Sequence, residues 1–119
     1  MTENTTPRRL AEIYFACWEA GDFAPLRVHL APDCVFTGVF GTAHGPDEFL
    51  RGLTGMAAAT DALTVRARVA DDTDVITWFE LGMGGAPVTP VANWTHVVGG
   101  RIAAVNVTFD PREILAASA

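Results

Sequence analysis

The spacing of the apolar residues changes near residue 60, from the three-to-four period of a helix to strict alternation. This break restricts the chain to an α+β arrangement with helices early and strands late. Upstream of it, Leu10, Ile13, Tyr14, Cys17 and Trp18 fall at i, i+3, i+4, i+7 and i+8, one apolar face of an amphipathic helix. Thr6 before Pro7 starts that helix and Gly21 stops it. Asp22 then caps a short second helix with Leu26 and Leu30 inward, ended by Pro32. Cys34 to Phe40 is a β-prone run closed by Gly41, which reads as a first strand. A proline and two carboxylates in Gly45-Pro46-Asp47-Glu48 open a third helix. Phe49, Leu50, Leu53, Met56 and Ala57 continue it to about Thr60.

Downstream, Leu63, Val65, Ala67 and Val69 alternate with Thr64, Arg66, Arg68 and Ala70, and arginines on the alternate face imply one wet side. Asp71-Asp72 makes a turn and Val75 to Met83 a strand. Gly82 to Pro87 is a loop, and Val88 to Val98 a strand bent or interrupted at Pro90. Gly99-Gly100 is a two-residue hairpin signal leading into Arg101 to Phe109. A curved, mostly antiparallel sheet wrapped on three N-terminal helices forms a cone, here as a single domain over 1–119, and a cone can keep an apolar pocket at its open end.

Composition removes several kinds of chemistry. Eight basic residues against fourteen acidic ones leave a net charge of −6, the wrong sign for phosphate neutralisation, so no nucleic-acid partner is expected. Every basic residue is arginine and Ser118 is the sole serine, which excludes a Schiff-base lysine and an internal serine nucleophile. The N-terminus carries no charged-then-apolar signal and no apolar run long enough to span a bilayer, which implies a cytoplasmic protein without membrane association. Without a secretion signal, the Asn-x-Thr triplets at Asn4, Asn93 and Asn106 carry no glycosylation meaning. Cys17 and Cys34 read as small buried apolar fillers. His29 and Asp33 have the spacing of a helical metal pair, but Pro32 interrupts it and no third ligand is apparent, so no metal is expected.

Five stretches, in this order and spacing, carry a family resemblance. They are Trp18-Glu19-Ala20-Gly21-Asp22-Phe23, Leu30-Ala31-Pro32-Asp33-Cys34-Val35-Phe36, Gly45-Pro46-Asp47, and Val98-Gly99-Gly100-Arg101-Ile102 followed by Phe109-Asp110-Pro111-Arg112. From about Arg9 to Leu115 the chain resembles the SnoaL-like branch of the nuclear transport factor two superfamily, the fold of ketosteroid isomerases, limonene epoxide hydrolases and polyketide cyclases. The resemblance puts Tyr14 where the isomerases have an oxyanion-stabilising tyrosine. It puts Gly38 where they have an aspartate base. Their second donor, a protonated aspartate, falls on Asn93, or on Ala92 in the neighbouring register. Val107 takes the place of a catalytic aspartate of the epoxide hydrolases. Neither mechanism is carried over intact.

The remaining candidates follow from pattern. Tyr14 with Asn93 can clamp a ligand oxygen with two neutral donors, or both can be ordinary core residues. His44, Glu80 and Asp110 are the acid–base candidates. His44 sits in a glycine-flanked loop, Glu80 points outward by alternation, as does His96, and Asp110 matches a family turn residue. Trp18, Phe36, Phe40, Phe49, Met56, Phe79 and Phe109 point inward and line the pocket, with Gly38 and Val107 beside them. Trp78 and Trp94 fall on the outer sheet face, which a homodimer built sheet to sheet would cover, like the family's usual assembly. Two functions compete: a cofactor-independent isomerase, cyclase or hydrolase acting on a small apolar oxygen-bearing molecule, and a non-catalytic protein that holds such a molecule. A third reading makes the chain a dimeric interaction module.

Overall fold

In the computed structural model, which describes residues 6–118, helix α1 (Pro7–Ala20) begins and ends at the signals read from the sequence. The Thr6 hydroxyl oxygen accepts a hydrogen bond from the Arg9 N–H at 3.2 Å, and Pro7 lies in the first turn, where no N–H is needed. Gly21 takes the left-handed conformation at φ 70° that closes the helix, its N–H donating to the Trp18 carbonyl at 3.1 Å.

The segment expected as a second helix is a 3-10 helix, Ala24–His29, entered through Asp22, whose Oδ1 accepts from the Ala24 N–H at 3.0 Å. Leu30 is already extended and begins strand β1 (Leu30–Gly38). Pro32 therefore ends no helix. It lies in β1 where the register against the neighbouring strand shifts between Leu30 and Val35, an irregularity that tolerates a residue with no N–H. The run expected as one strand to Phe40 is instead a hairpin, with Val39 and Phe40 turning β1 into strand β2 (Gly41–His44).

Helix α2 (Gly45–Ala59) passes without a loop into β3 (Thr60–Ala70), followed by β4 (Asp74–Met83), β5 (Thr89–Val98) and β6 (Arg101–Phe109). Pro90 does not interrupt β5, whose pairing with β4 runs without a shift from Leu81–Thr89 to Asp74–His96. A seven-residue helix α3 (Arg112–Ser118) follows, which the periodicity did not reveal. The six strands form one curved, unclosed sheet in the order β2-β1-β6-β5-β4-β3, antiparallel throughout except for the parallel β1–β6 pair.

The concave face is the core. Phe15 and Trp18 of α1 bracket Phe79 on β4, with ring centroids 5.0 and 5.6 Å away in edge-to-face arrangement. Burying each such ring stabilises the fold by roughly 1.5–3 kcal/mol. The alternation along β3 holds only in part. A register shift between Val65 and Ala67 inserts a residue, so Val69 emerges on the outer face while Arg68 turns inward over the Phe15 ring at 5.1 Å. Of the two arginines, Arg66 keeps the expected outward position, paired with Glu80 at 2.8 Å. Trp78 and Trp94 face outward and are each about half exposed. Among the described residues no helix is long and apolar enough to cross a membrane.

Candidate functional site

Between α2, the β1–β2 hairpin and the ends of β4 and β6 lies a cleft of about 410 Å3, within the range of roughly 300–1,000 Å3 usual for small-molecule sites. The helix supplies Phe49, Gly52, Leu53, Gly55 and Met56. The sheet supplies Phe36, Met83 and Phe109, and the hairpin Phe40 to Ala43. Thr42 brings the one side-chain polar atom among these residues, and none of them is titratable. A larger hollow of about 650 Å3 lies at the opposite end, framed by Asp71–Thr73, Gly99–Gly100 and the start of α1. It sits among turns rather than between helix and sheet, and the smaller cleft is the better candidate site.

The structure thus brings five expected lining residues together, Phe36, Phe40, Phe49, Met56 and Phe109, and separates four. Phe40 is not inward: it is 57% exposed at the mouth, its ring 5.7 Å from that of Phe109. Trp18 and Phe79 are core residues under α1, and the Trp18 indole N–H donates to the Thr60 hydroxyl at 3.0 Å. Val107 packs in the same core, and Gly38 closes β1 with Phe36, whose ring would lie 3.0 Å from a Cβ placed there. Leu53 and Met83 belong to periodic runs already legible in the sequence. Gly52, Gly55 and, in the hairpin, Gly41 to Ala43 gave no lining signal, because hairpin and helix meet only in the folded chain.

The acid–base candidates stand away from the cleft lining. His44 ends β2 at the entry to α2, and its backbone N–H donates to Glu48 Oε1 at 2.8 Å. Glu80 is held on the outer face by Arg66. Arg112 clasps Asp110 through Nε (3.0 and 2.9 Å) and an Nη donor at 2.6 Å, and these bonds hold its carboxyl below the usual range, which weakens it as a base. His96 lies against Asp74, Nδ1 to Oδ1 at 2.9 Å, and the Trp94 indole N–H donates to the same oxygen at 2.6 Å. Burial pushes the thiols of Cys17 and Cys34 up, away from thiolate chemistry. No cluster of three metal-ligating side chains occurs among the described residues.

Tyr14 and Asn93 do come together, but beneath the cleft. Both are fully buried, and β5 turns Asn93 rather than Ala92 inward. Burial pushes the Tyr14 phenol far above its ordinary value, and the Asn93 side chain beside it offsets part of that rise. Asn93 Oδ1 accepts from the Thr95 hydroxyl at 2.8 Å, whereas among the described residues Tyr14 Oη and Asn93 Nδ2 meet no partner in good hydrogen-bond geometry and only lie close enough together for the amide to favour the phenolate. A third buried donor without a partner, one Nη of Arg68, lies across the same sheet face, with Arg68 Nε donating to Thr77 Oγ1 at 2.9 Å.

A family model described as a SnoaL-like domain matches residues 11–105. Among solved structures, a steroid delta-isomerase from Pseudomonas aeruginosa superposes with a TM-score of 0.82 at 17% identity, covering 98% of this chain and 87% of that one. A protein of ketosteroid isomerase-like fold from Catenulispora acidiphila, solved with trimethylamine, gives 0.77 at 20% identity over 95% and 93%. An LEH-like epoxide hydrolase from M. tuberculosis gives 0.73 at 22% identity over 92% and 86%. No curated protein matches the sequence significantly.

Proposed function

The chain belongs to the SnoaL-like family, and from that premise we propose that it binds a small, largely apolar, oxygen-bearing molecule in the cleft between α2 and the sheet. The observation that carries this reading is the lining itself: aromatic, thioether and glycine residues with a single hydroxyl and no titratable group. Such walls favour an apolar ligand by burial and offer its charged analogues no compensation. Saturable binding of the neutral fluorophore N-phenyl-1-naphthylamine, abolished by Met56→Asp, is the expected result. Non-saturable binding, or binding that ignores Met56→Asp, overturns the reading.

Tyr14 Oη and Asn93 Nδ2 favour a second reading, cofactor-independent catalysis on the same molecule. Two buried donors side by side, with no well-formed partner among the described residues, are suited to a ligand oxygen on which charge develops. The isomerase and epoxide hydrolase among the structural relatives agree with such chemistry. Tyr14→Phe would then keep binding and lose turnover. For the half-exposed Trp78 and Trp94, with Ile76 between them on the outer face, we propose cover by a second copy of the chain.

A further inference from the structure

Two glycines in the middle of α2 are not accounted for by the fold. Gly52 and Gly55 line the cleft, and neither has the positive φ that calls for glycine. A Cβ built on either would meet no atom within 4 Å. Glycine weakens a helix interior relative to alanine through its backbone entropy, so two of them in a fifteen-residue helix destabilise α2 with no packing reason to be there. Their effect is to leave bare backbone on the helical wall of the cleft, while Phe36, Phe40 and Phe109 furnish rings from the other sides.

We propose that Gly52 and Gly55 are specificity-determining residues: the bound molecule lies against the α2 backbone at these positions, and the missing side chains set how broad it can be. The proposal rests on the cleft being the ligand site. The class of ligand it implies is a broad, rigid apolar molecule that touches the helix backbone and the aromatic walls together. An extended chain would leave one of those surfaces uncovered. The exposed ring of Phe40 at the mouth would be covered by the same ligand.

The test pairs substitutions of graded size with a broad and a narrow probe. Gly52→Ala and Gly55→Ala, which keep the helix intact, are expected to raise Tm and to weaken N-phenyl-1-naphthylamine binding by about threefold each. Gly52→Leu and Gly55→Leu are expected to weaken it by at least about tenfold while toluene binding stays within about threefold. A purely structural role for the glycines predicts the reverse, a lower Tm in the alanine variants, and that result overturns the proposal. Wild-type protein that binds N-phenyl-1-naphthylamine with an affinity unchanged in both leucine variants also overturns it, while leaving the cleft as the site. Wild-type protein that binds neither probe overturns both readings.

Discussion

Tyr14→Phe should stabilise this protein, against the usual direction for a change in a core. The hydroxyl is buried and, among the described residues, meets no partner in good hydrogen-bond geometry, the Asn93 amide lying beside it without a well-formed bond, so folding strips it of water with little return. Such an unmade bond costs about 1–3 kcal/mol. Removing the oxygen leaves a void of roughly 10 Å3, which at about 24 cal/mol per Å3 costs only about 0.2 kcal/mol. The ring contacts to Phe15 (5.2 Å) and Trp18 (6.3 Å) are kept. The net expectation is a gain of about 1 kcal/mol, read as a rise in Tm of roughly 4 °C and a urea midpoint raised by about 0.5 M. Trp18→Phe is the control of opposite sign, because its indole N–H does have a partner in Thr60. A Tyr14→Phe variant less stable by about 1 kcal/mol or more would mean that the phenol is bonded in solution, about the worth of one made hydrogen bond. The two donors would then be structural and the catalytic reading would lose its support.

Asp74 accepts from the Thr73 hydroxyl, the Trp94 indole and His96, which hold its carboxyl below the usual range. A depressed carboxylate contributes stability above its unfolded value of about 3.9 and loses it as pH falls through the lower folded value. Asp74→Asn should therefore be less stable than wild type at pH 7, with the difference shrinking below about pH 4 in urea titrations; a gap independent of pH would contradict this. Gly21→Ala forces a Cβ into the left-handed conformation at the end of α1 and should cost roughly 1–2 kcal/mol, measured by chemical denaturation. Trp78→Glu with Trp94→Glu should shift the sedimentation coefficient from dimer to monomer, and an unchanged mass would remove the sheet-to-sheet pairing. Val91→Ala, which removes bulk beside Phe109 in the row next to Asn93 at a cost of about 2 kcal/mol, should increase the preference for 2-naphthol over naphthalene. The gain should vanish when Tyr14→Phe is added.

What was legible in the sequence depended on how many residues repeat a signal. Helices α1 and α2 and strands β4 to β6 each carry nine or more residues of one period bounded by a cap, a proline or a glycine pair. Strand β2 has four residues and α3 has seven, too few for a period to stand out, and Gly41 read as the end of a strand although it begins the next one. The register shift in β3 was hidden for a different reason. Alternation in one strand does not show that its partner skips a residue, so Val65, Ala67 and Val69 looked alike while pairing places Val65 opposite Phe79 and Ala67 opposite Trp78. Arg68 is the consequence: a charge read as solvated stacks instead on Phe15 and is pushed down in pKa by burial.

The site was legible as a set of inward residues but not as a cavity, because depth and cover are properties of how the helices land on the sheet. Phe79, Val91 and Phe109 occupy one row across β4, β5 and β6. Phe79 is sealed by Phe15 and Trp18 of α1, whereas Phe109, at the far side of the row, meets Phe40 and opens on the cleft. The same helix placement puts Asn93 two residues further along β5, about 7 Å deeper, where Tyr14 reaches it from α1. Apolar walls and polar donors therefore lie in successive rows, and a ligand long enough to join them must reach past Val91, which is fully buried beside Phe109. A binder needs only the outer row. An enzyme of this design needs both, so the reach from Phe109 to Tyr14, more than the identity of any single side chain, separates the two functions.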